Sequence, residues 1–229
     1  IEVGYWAIRG LGAPLRMVCS FAGVEYKPVL YQVTGKPGEW DKSAWFNVKP
    51  ELQKKNALMN LPYIVDGDIV ISQTNACLMY LGRKFNLNPK TDEELSKMEQ
   101  CLAEVMDLRN NAVRHYYSPP DVFNSGIKEF VEQTIPKSYS KLDDWLAQQK
   151  TTFLVNNNPT VPDFHLFELI DQLETYSEVH NENVSLLKPY SNLQNFYQTF
   201  QKIPELATYL QSDLHKLPIN NPHASFTGK

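Results

Sequence analysis

The segment LPYIVDGDIVIS, residues 61–72, sets two β-branched runs on either side of Asp66-Gly67. Asp-Gly tolerates the positive backbone angles of a tight turn, so this stretch predicts a two-stranded antiparallel hairpin. Pro62 opens the first strand, where its missing N–H removes little from the ladder. A helix is expected to begin at Ser72 or Gln73, with Ala76, Cys77, Tyr80 and Leu81 along it.

The residues before the hairpin complete a compact pattern. Val3 and Tyr5 alternate as a strand, and Trp6 follows. Gly10-Leu11-Gly12 marks a turn, and Pro14 opens a helical run through Leu15, Val18, Cys19 and Ala22. KPVLYQV, from Lys27 to Val33, reads as a second strand. Thr34 to Trp45 reads as a turn-rich loop, and the stretch to about Met59 as short helical or irregular backbone. The order is β-α-β, a connection, then β-β-α.

From Thr91 onward the texture is helical. Leu95, Met98, Leu102, Val105, Ala112, Val113 and Tyr116 keep helical spacing. A second stripe runs through Ile127, Phe130, Val131, Ile135, Leu142 and Leu146, and Pro136 inside it predicts a kink or a first turn. Thr160 and Asp163 fit a capping box ahead of Phe164, Phe167, Ile170 and Leu173. Two shorter helices are expected over Leu193 to Phe200 and Pro204 to Leu210, and a polar tail from His215. This divides the chain into a small α/β domain, residues 1–85, and an all-helical domain, residues 91–229, joined by a linker near Phe85 to Lys90.

Composition narrows the function. A net charge of -4 gives no general attraction for nucleic acid or an anionic membrane. No apolar run approaches the roughly 20 residues of a membrane-spanning helix. No basic-then-apolar leader opens the sequence, and Cys19, Cys77 and Cys101 stand far apart with no CxxC spacing. The expectation is a cytoplasmic protein with reduced thiols and no disulfide framework. The five histidines lack ligand spacing, so no metal site is expected. Gly10-Leu11-Gly12 is not a dinucleotide fingerprint: the third glycine is missing, and Pro14 falls where phosphate-cradling amides would lie. There is no P-loop, HExxH or GxSxG.

Three features point at one end of the sheet: Tyr5 where the first strand ends, Pro62 where the next begins, and the helix start at Gln73-Thr74. Such a helix start presents free amides and the positive end of a dipole to a carboxylate. Leu61-Pro62 in this β-order predicts a cis bond, as in thioredoxin-like domains. The cysteine pair of a thioredoxin is absent, so dithiol redox chemistry is excluded. A tyrosine hydroxyl there suits a thiol brought by a substrate. A free thiol has a pKa of about 8.5, and donation to its anion lowers that value. A drop of about 2 units, roughly 2.7 kcal/mol, makes the thiolate dominant. Tyr5 is the candidate donor and Trp6 a wall of the cleft.

Taken together, GYWAIRGL, the loop carrying Asp41, Lys42, Ser43 and Trp45 to Lys49, NLPY (residues 60–63), SQTNA (residues 72–76) and Thr160 to Phe164 resemble the cytosolic glutathione transferases, most closely the mu class, over almost the whole chain. The resemblance implies a thioredoxin-like N-terminal domain, an all-α C-terminal domain, and conjugation of glutathione to electrophilic, largely hydrophobic substrates. Glutathione would be a co-substrate, with no separate cofactor. Tyr5 resembles the catalytic tyrosine. Trp6, Lys42, Trp45 and Lys49 resemble residues at the glycine end of glutathione. Asn60, Leu61 and Pro62 match its cysteinyl and backbone site, and Gln73 and Thr74 its γ-glutamyl end. Asp107 matches an acid reaching the partner subunit's ligand, which implies a homodimer. Ile8, Leu11, Val113 and Tyr117 match the electrophile pocket, Leu11 being counted with the glutathione positions as well.

Departures from the pattern qualify this. The chain is two residues longer between Lys49 and Asn60, and Leu58 stands where the family has an aromatic dimer key. Arg109, Asn110 and Arg114, with a polar tail over Ile219 to Lys229, suggest a wetter pocket for polar or anionic electrophiles. A ligand carrier, a structural relative or a sigma-type isomerase are the alternative readings.

Overall fold

The computed structural model describes residues 1–228. A four-stranded sheet is built from β1 (Glu2–Trp6), β2 (Lys27–Tyr31), β5 (Tyr63–Asp66) and β6 (Ile69–Ser72), in the order β2-β1-β5-β6. β1 runs parallel to β2 and antiparallel to β5, and β5 pairs antiparallel with β6. The hairpin turns where Gly67 takes a φ of 60°. α1 (Gly12–Phe21) makes the crossover from β1 to β2, and α4 (Thr74–Lys84) follows β6. The fold is a small mixed sheet with helices, followed by a helical domain.

One expectation is corrected in the connection. Thr34 to Trp45 is not simply loop: β3 (Thr34–Lys36) and β4 (Glu39–Asp41) form a second hairpin. Its turn is Pro37-Gly38, with φ 86° at Gly38, the geometry that Pro-Gly favours. α2 (Ser43–Phe46) and α3 (Lys49–Gln53) then lead to β5.

The helical domain comprises α5 (Asp92–Tyr116), α6 (Pro120–Glu129), α7 (Ile135–Gln149), α8 (Val161–His180), α9 (Ser191–Gln201) and α10 (Ala207–Gln211). Between α6 and α7 the backbone makes a π turn over Phe130–Thr134. Pro136 lies in the first turn of α7, where it has no N–H to give. The capping box at α8 is complete. Thr160 N and Oγ1 both donate to Asp163 Oδ2, at 2.7 and 2.8 Å, and Leu154 N donates to Oδ1 at 2.8 Å.

One apolar core runs through both parts of the chain, from Val3, Leu15 and Ile64 to Leu102, Phe164 and Ile170. Phe21 of α1 meets Phe164 of α8 edge to face, with ring centroids 5.3 Å apart. A second cluster gathers Tyr31, Trp45, Met59 and Tyr63 under the opposite face of the sheet's edge.

The tail from His215 is polar in sequence, as expected, and it folds back into the molecule. Ile219, Asn220, Asn221 and Phe226 are buried. Main-chain bonds hold it: Arg9 N donates to Pro218 O at 2.8 Å, Gly10 N to Ile219 O at 3.2 Å, and Ser225 N to Tyr116 O at 2.8 Å. Asn220 Nδ2 caps the loop by donating to Phe226 O at 3.0 Å. The Asn220 side chain meets backbone and the Asn221 N–H meets the Tyr117 hydroxyl, pairings no local sequence pattern reveals.

Candidate functional site

Strand register assembles the site. Gly4 pairs with Tyr63, and Tyr63 pairs with Ser72. The end of β1, the start of β5 and the end of β6 therefore share one sheet edge. Tyr5 and Trp6 lie at that edge, as do Leu61-Pro62, whose peptide bond is cis, and Gln73-Thr74. The expected convergence is present.

Each edge feature has a local cause. Tyr5 is 5% exposed and packs across two glycines. A β-carbon on Gly12 would come within 2.8 Å of Tyr5 Cβ and Cδ1, so Gly10-Leu11-Gly12 serves the tyrosine rather than a nucleotide. Gln73 is a non-glycine residue at φ 75°, a strained geometry costing about 1–3 kcal/mol. It leaves α4 with no side-chain N-cap. Ser72, a natural capping candidate, instead donates its hydroxyl to Leu58 O at 2.8 Å. The first amides of α4 thus remain uncapped by a side chain beside Tyr5's edge, suited to an anion.

Trp45 is 1% exposed, and its ring stacks on Tyr63 at 5.9 Å and tilts onto Tyr31 at 5.1 Å. It therefore also acts as a core residue that seats α2 against the sheet. Lys42, whose carbonyl accepts from Trp45 N, is carried with it. Lys42 and Lys49 are half-buried, and neither forms an ion pair among the described residues. Asn60 is exposed just ahead of the cis bond.

On the other side of Tyr5, Leu11 sits at the start of α1, and Ile8 reaches toward Gly10. Gly10, Arg109 and Val113 line a common cavity. Tyr117 ends α5, and its hydroxyl accepts from Asn221 N at 2.9 Å. Burial raises the Tyr117 pKa. His223 of the tail stands between Tyr117, at 5.2 Å, and Trp40 of the β3–β4 hairpin, at 6.3 Å.

Two expected residues lie elsewhere. Asp107 and Arg114 are exposed and line a groove of α5, α6 and α7 with Glu104, Asn111, Lys137 and Lys141. The helical period places them away from Arg109 and Val113. Arg114 is therefore no part of the surface bordering Val113, which corrects the sequence expectation. Asp107 is absent from the Tyr5 edge within this chain. Asn110 accepts from Arg109 Nη1 at 3.4 Å. Leu58 is 78% exposed, held out by Asn56 Oδ1, which accepts from Leu58 N at 3.0 Å.

Several residues that sequence reasoning passed over shape the site. Arg9 is buried; its Nε and Nη2 donate to the two Glu168 oxygens at 2.9 and 3.1 Å, and Nη2 also meets Asp171. This fork bolts the loop after Tyr5 onto α8. Arg16 is fully buried, with Nη1 donating to Ile8 O at 3.1 Å. His165 is buried beside Arg109, and burial followed by that charge pushes its pKa down to about 3. Neither Arg9 nor Arg16 follows an apolar stripe that would mark it as buried. All three cysteines are free and buried, and burial pushes each up to about 12, so none is a ready nucleophile. Among the described residues no group of three His, Cys, Asp or Glu is placed to hold a metal, and no helix is long and apolar enough to cross a membrane.

Comparison with known proteins adds an independent line. Residues 1–83 match the family model described as glutathione S-transferase, N-terminal domain, and residues 106–213 the one described as glutathione S-transferase, C-terminal domain. The chain is 31% identical to glutathione S-transferase Mu 3 of Homo sapiens, over 99% of this chain and 95% of that protein. It is likewise 31% identical to glutathione S-transferase Mu 5 of Mus musculus, over 99% and 96%. In structure it resembles the glutathione S-transferase Blo t 8, with a TM-score of 0.84 at 22% identity, covering 99% of this chain and 100% of that one.

Proposed function

This chain belongs to the glutathione S-transferase family, and from that premise we propose that it conjugates glutathione to electrophilic substrates through Tyr5. The observation that carries the reading is the shared edge of Tyr5, Leu61-Pro62 and the uncapped start of α4. The γ-glutamyl carboxylate fits the free amides at Gln73-Thr74. Leu61 and Asn60 flank the cysteinyl portion, with Pro62 setting the start of β5. Trp6, Lys42, Trp45 and Lys49 surround the glycine end, where two unpaired ammonium groups suit a carboxylate.

Tyr5 donates to the glutathione sulfur as the thiol proton leaves to solvent. The thiolate then forms a bond to the electrophilic carbon, and the leaving group departs with its electron pair. Holding both reactants side by side supplies much of the rate. Ile8, Leu11, Val113 and Tyr117 form the acceptor side. Glutathione is the co-substrate and itself supplies the nucleophile.

The relatives' names support the mu class as the finer assignment. A homodimer is supported by the projecting Leu58 and by Asp107, which is exposed and lines the groove of α5 to α7. Three free thiols support a cytoplasmic setting. The test is conjugation of glutathione to 1-chloro-2,4-dinitrobenzene, with the ultraviolet thiolate signal of bound glutathione, for wild type and Tyr5→Phe. Loss of both rate and thiolate in the variant supports the reading. Glutathione binding with neither turnover nor thiolate in the wild type overturns it.

A further inference from the structure

Under Gly10, between the loop after β1 and helices α5 and α8, lies a cavity of about 10 Å³. Its polar lining is Arg109, His165, Glu168, Gln172 and Asn220. That is about the least volume that admits a single water, and it leaves no room for a second.

The lining groups are unequally satisfied. Glu168 is engaged by Arg9 at both oxygens, and Oε1 also accepts from Gln172 at 2.7 Å. Asn220 donates to Phe226 O. His165 is 2% exposed, and neither of its ring nitrogens has a partner. Each buried polar atom left unmet costs about 1–3 kcal/mol, so a native imidazole in this state points to a ligand. Arg109 pairs with no carboxylate among the described residues; its one side-chain bond is the long contact to Asn110.

A neutral imidazole presents one N–H and one lone pair, whereas a guanidinium presents only N–H groups. A water that accepts from the guanidinium and donates to the imidazole matches both. We propose that the cavity binds one such water, and that Arg109, aimed by it, selects acceptors carrying an anionic group such as a carboxylate or sulfonate. His165 is then a positioning residue acting through Arg109. The guanidinium fork suits a carboxylate or sulfonate, and it shares the cavity lining with Val113 of the acceptor side. Glu168 is held by Arg9 and Gln172, and no hydrogen bond or ion pair joins it to Arg109 among the described residues.

This rests on the conjugation reading, which wild-type turnover of neutral 1-chloro-2,4-dinitrobenzene tests separately. The measurement is kcat/KM for 4-chloro-3,5-dinitrobenzoate relative to that neutral acceptor, in wild type, His165→Leu, His165→Gln, Arg109→Leu and the double variant H165L/R109L, with a high-resolution crystal structure of the wild type. The expected structure shows one water within hydrogen-bond distance of both His165 and Arg109. His165→Leu lowers the preference for the anionic acceptor roughly threefold to tenfold, the effect of one net hydrogen bond, with KM for glutathione unchanged. His165→Gln retains most of it, and the double variant falls no further than Arg109→Leu. A dry cavity, an equal loss on both acceptors, or additive losses in the double variant overturns the proposal. Should H165L fail to fold, the crystal structure, H165Q and R109L still decide it.

Discussion

Tyr5 lies so close to Gly10 that a β-carbon at position 10 would stand 2.8 Å from Tyr5 Cε1 and 3.0 Å from its hydroxyl oxygen. Gly10 also holds a φ of 37°, outside the range that side chains favour. The glycine leaves the hydroxyl end of the ring open to a ligand while the rest is packed. Gly10→Ala is expected to displace the ring and lower kcat for conjugation by about tenfold or more, equivalent to roughly 1.4 kcal/mol in the barrier. Its thiolate signal should weaken in parallel. Steady-state kinetics and ultraviolet difference spectra on one preparation check this, and an unaltered kcat would sink the claim.

Leu58 projects into solvent between Asn56, whose Nδ2 donates to Val70 O at 2.9 Å, and Ser72, which holds the Leu58 carbonyl. Phe46 and Val48 are exposed as well. If Leu58 inserts into a second copy, Leu58→Glu removes about 1.5–3 kcal/mol of burial and adds a charge. The dimer dissociation constant should rise at least tenfold, read by sedimentation equilibrium. The same constant in both proteins would remove Leu58 from the interface.

Asp163 ties three donors to the start of α8: Thr160 N, Thr160 Oγ1 and Leu154 N. All lie in the interior, so Asp163→Ala leaves them unmet at about 1–3 kcal/mol each, softened by relaxation. We expect a net loss of about 3 kcal/mol or more in urea unfolding. Asp163→Asn should lose less, since its amide oxygen still accepts.

His165 imposes a pH dependence on stability. Its folded pKa of about 3 lies below the ordinary value near 6.5, so the unfolded chain binds the extra proton in that window. Stability contributed by the neutral ring is full above about pH 6.5 and is lost as pH falls toward 3. Between pH 6.5 and 5 the wild type should lose about 2 kcal/mol more than His165→Leu. Parallel pH curves for the two proteins would refute the assignment. His115 acts in the same direction: it is stacked between Phe123 and Phe130, and burial pushes its pKa down to about 4.

Local chemistry made much of this protein legible from sequence. Asp66-Gly67 with flanking β-branched residues gave the hairpin, and apolar spacing gave α1, α5 and α8. Thr160 and Asp163 gave a cap boundary. The Pro37-Gly38 hairpin was present in the sequence but lay in a stretch too short and polar to show strand alternation. The site edge was foreseeable because strand order and turn residues constrain where strand ends meet.

What sequence alone determined, then, was the order and type of elements and the residues at the sheet edge, because backbone periodicity and turn chemistry act over a few residues. The tertiary structure decided the rest. It joined Arg9 to Glu168 across 159 residues, folded the polar tail over Gly10 and Tyr117, turned Arg114 away from Val113, and left His165 unpartnered beside Arg109. Those outcomes depend on which distant surfaces pack together and which buried polar atoms find partners there, and no local pattern encodes that choice.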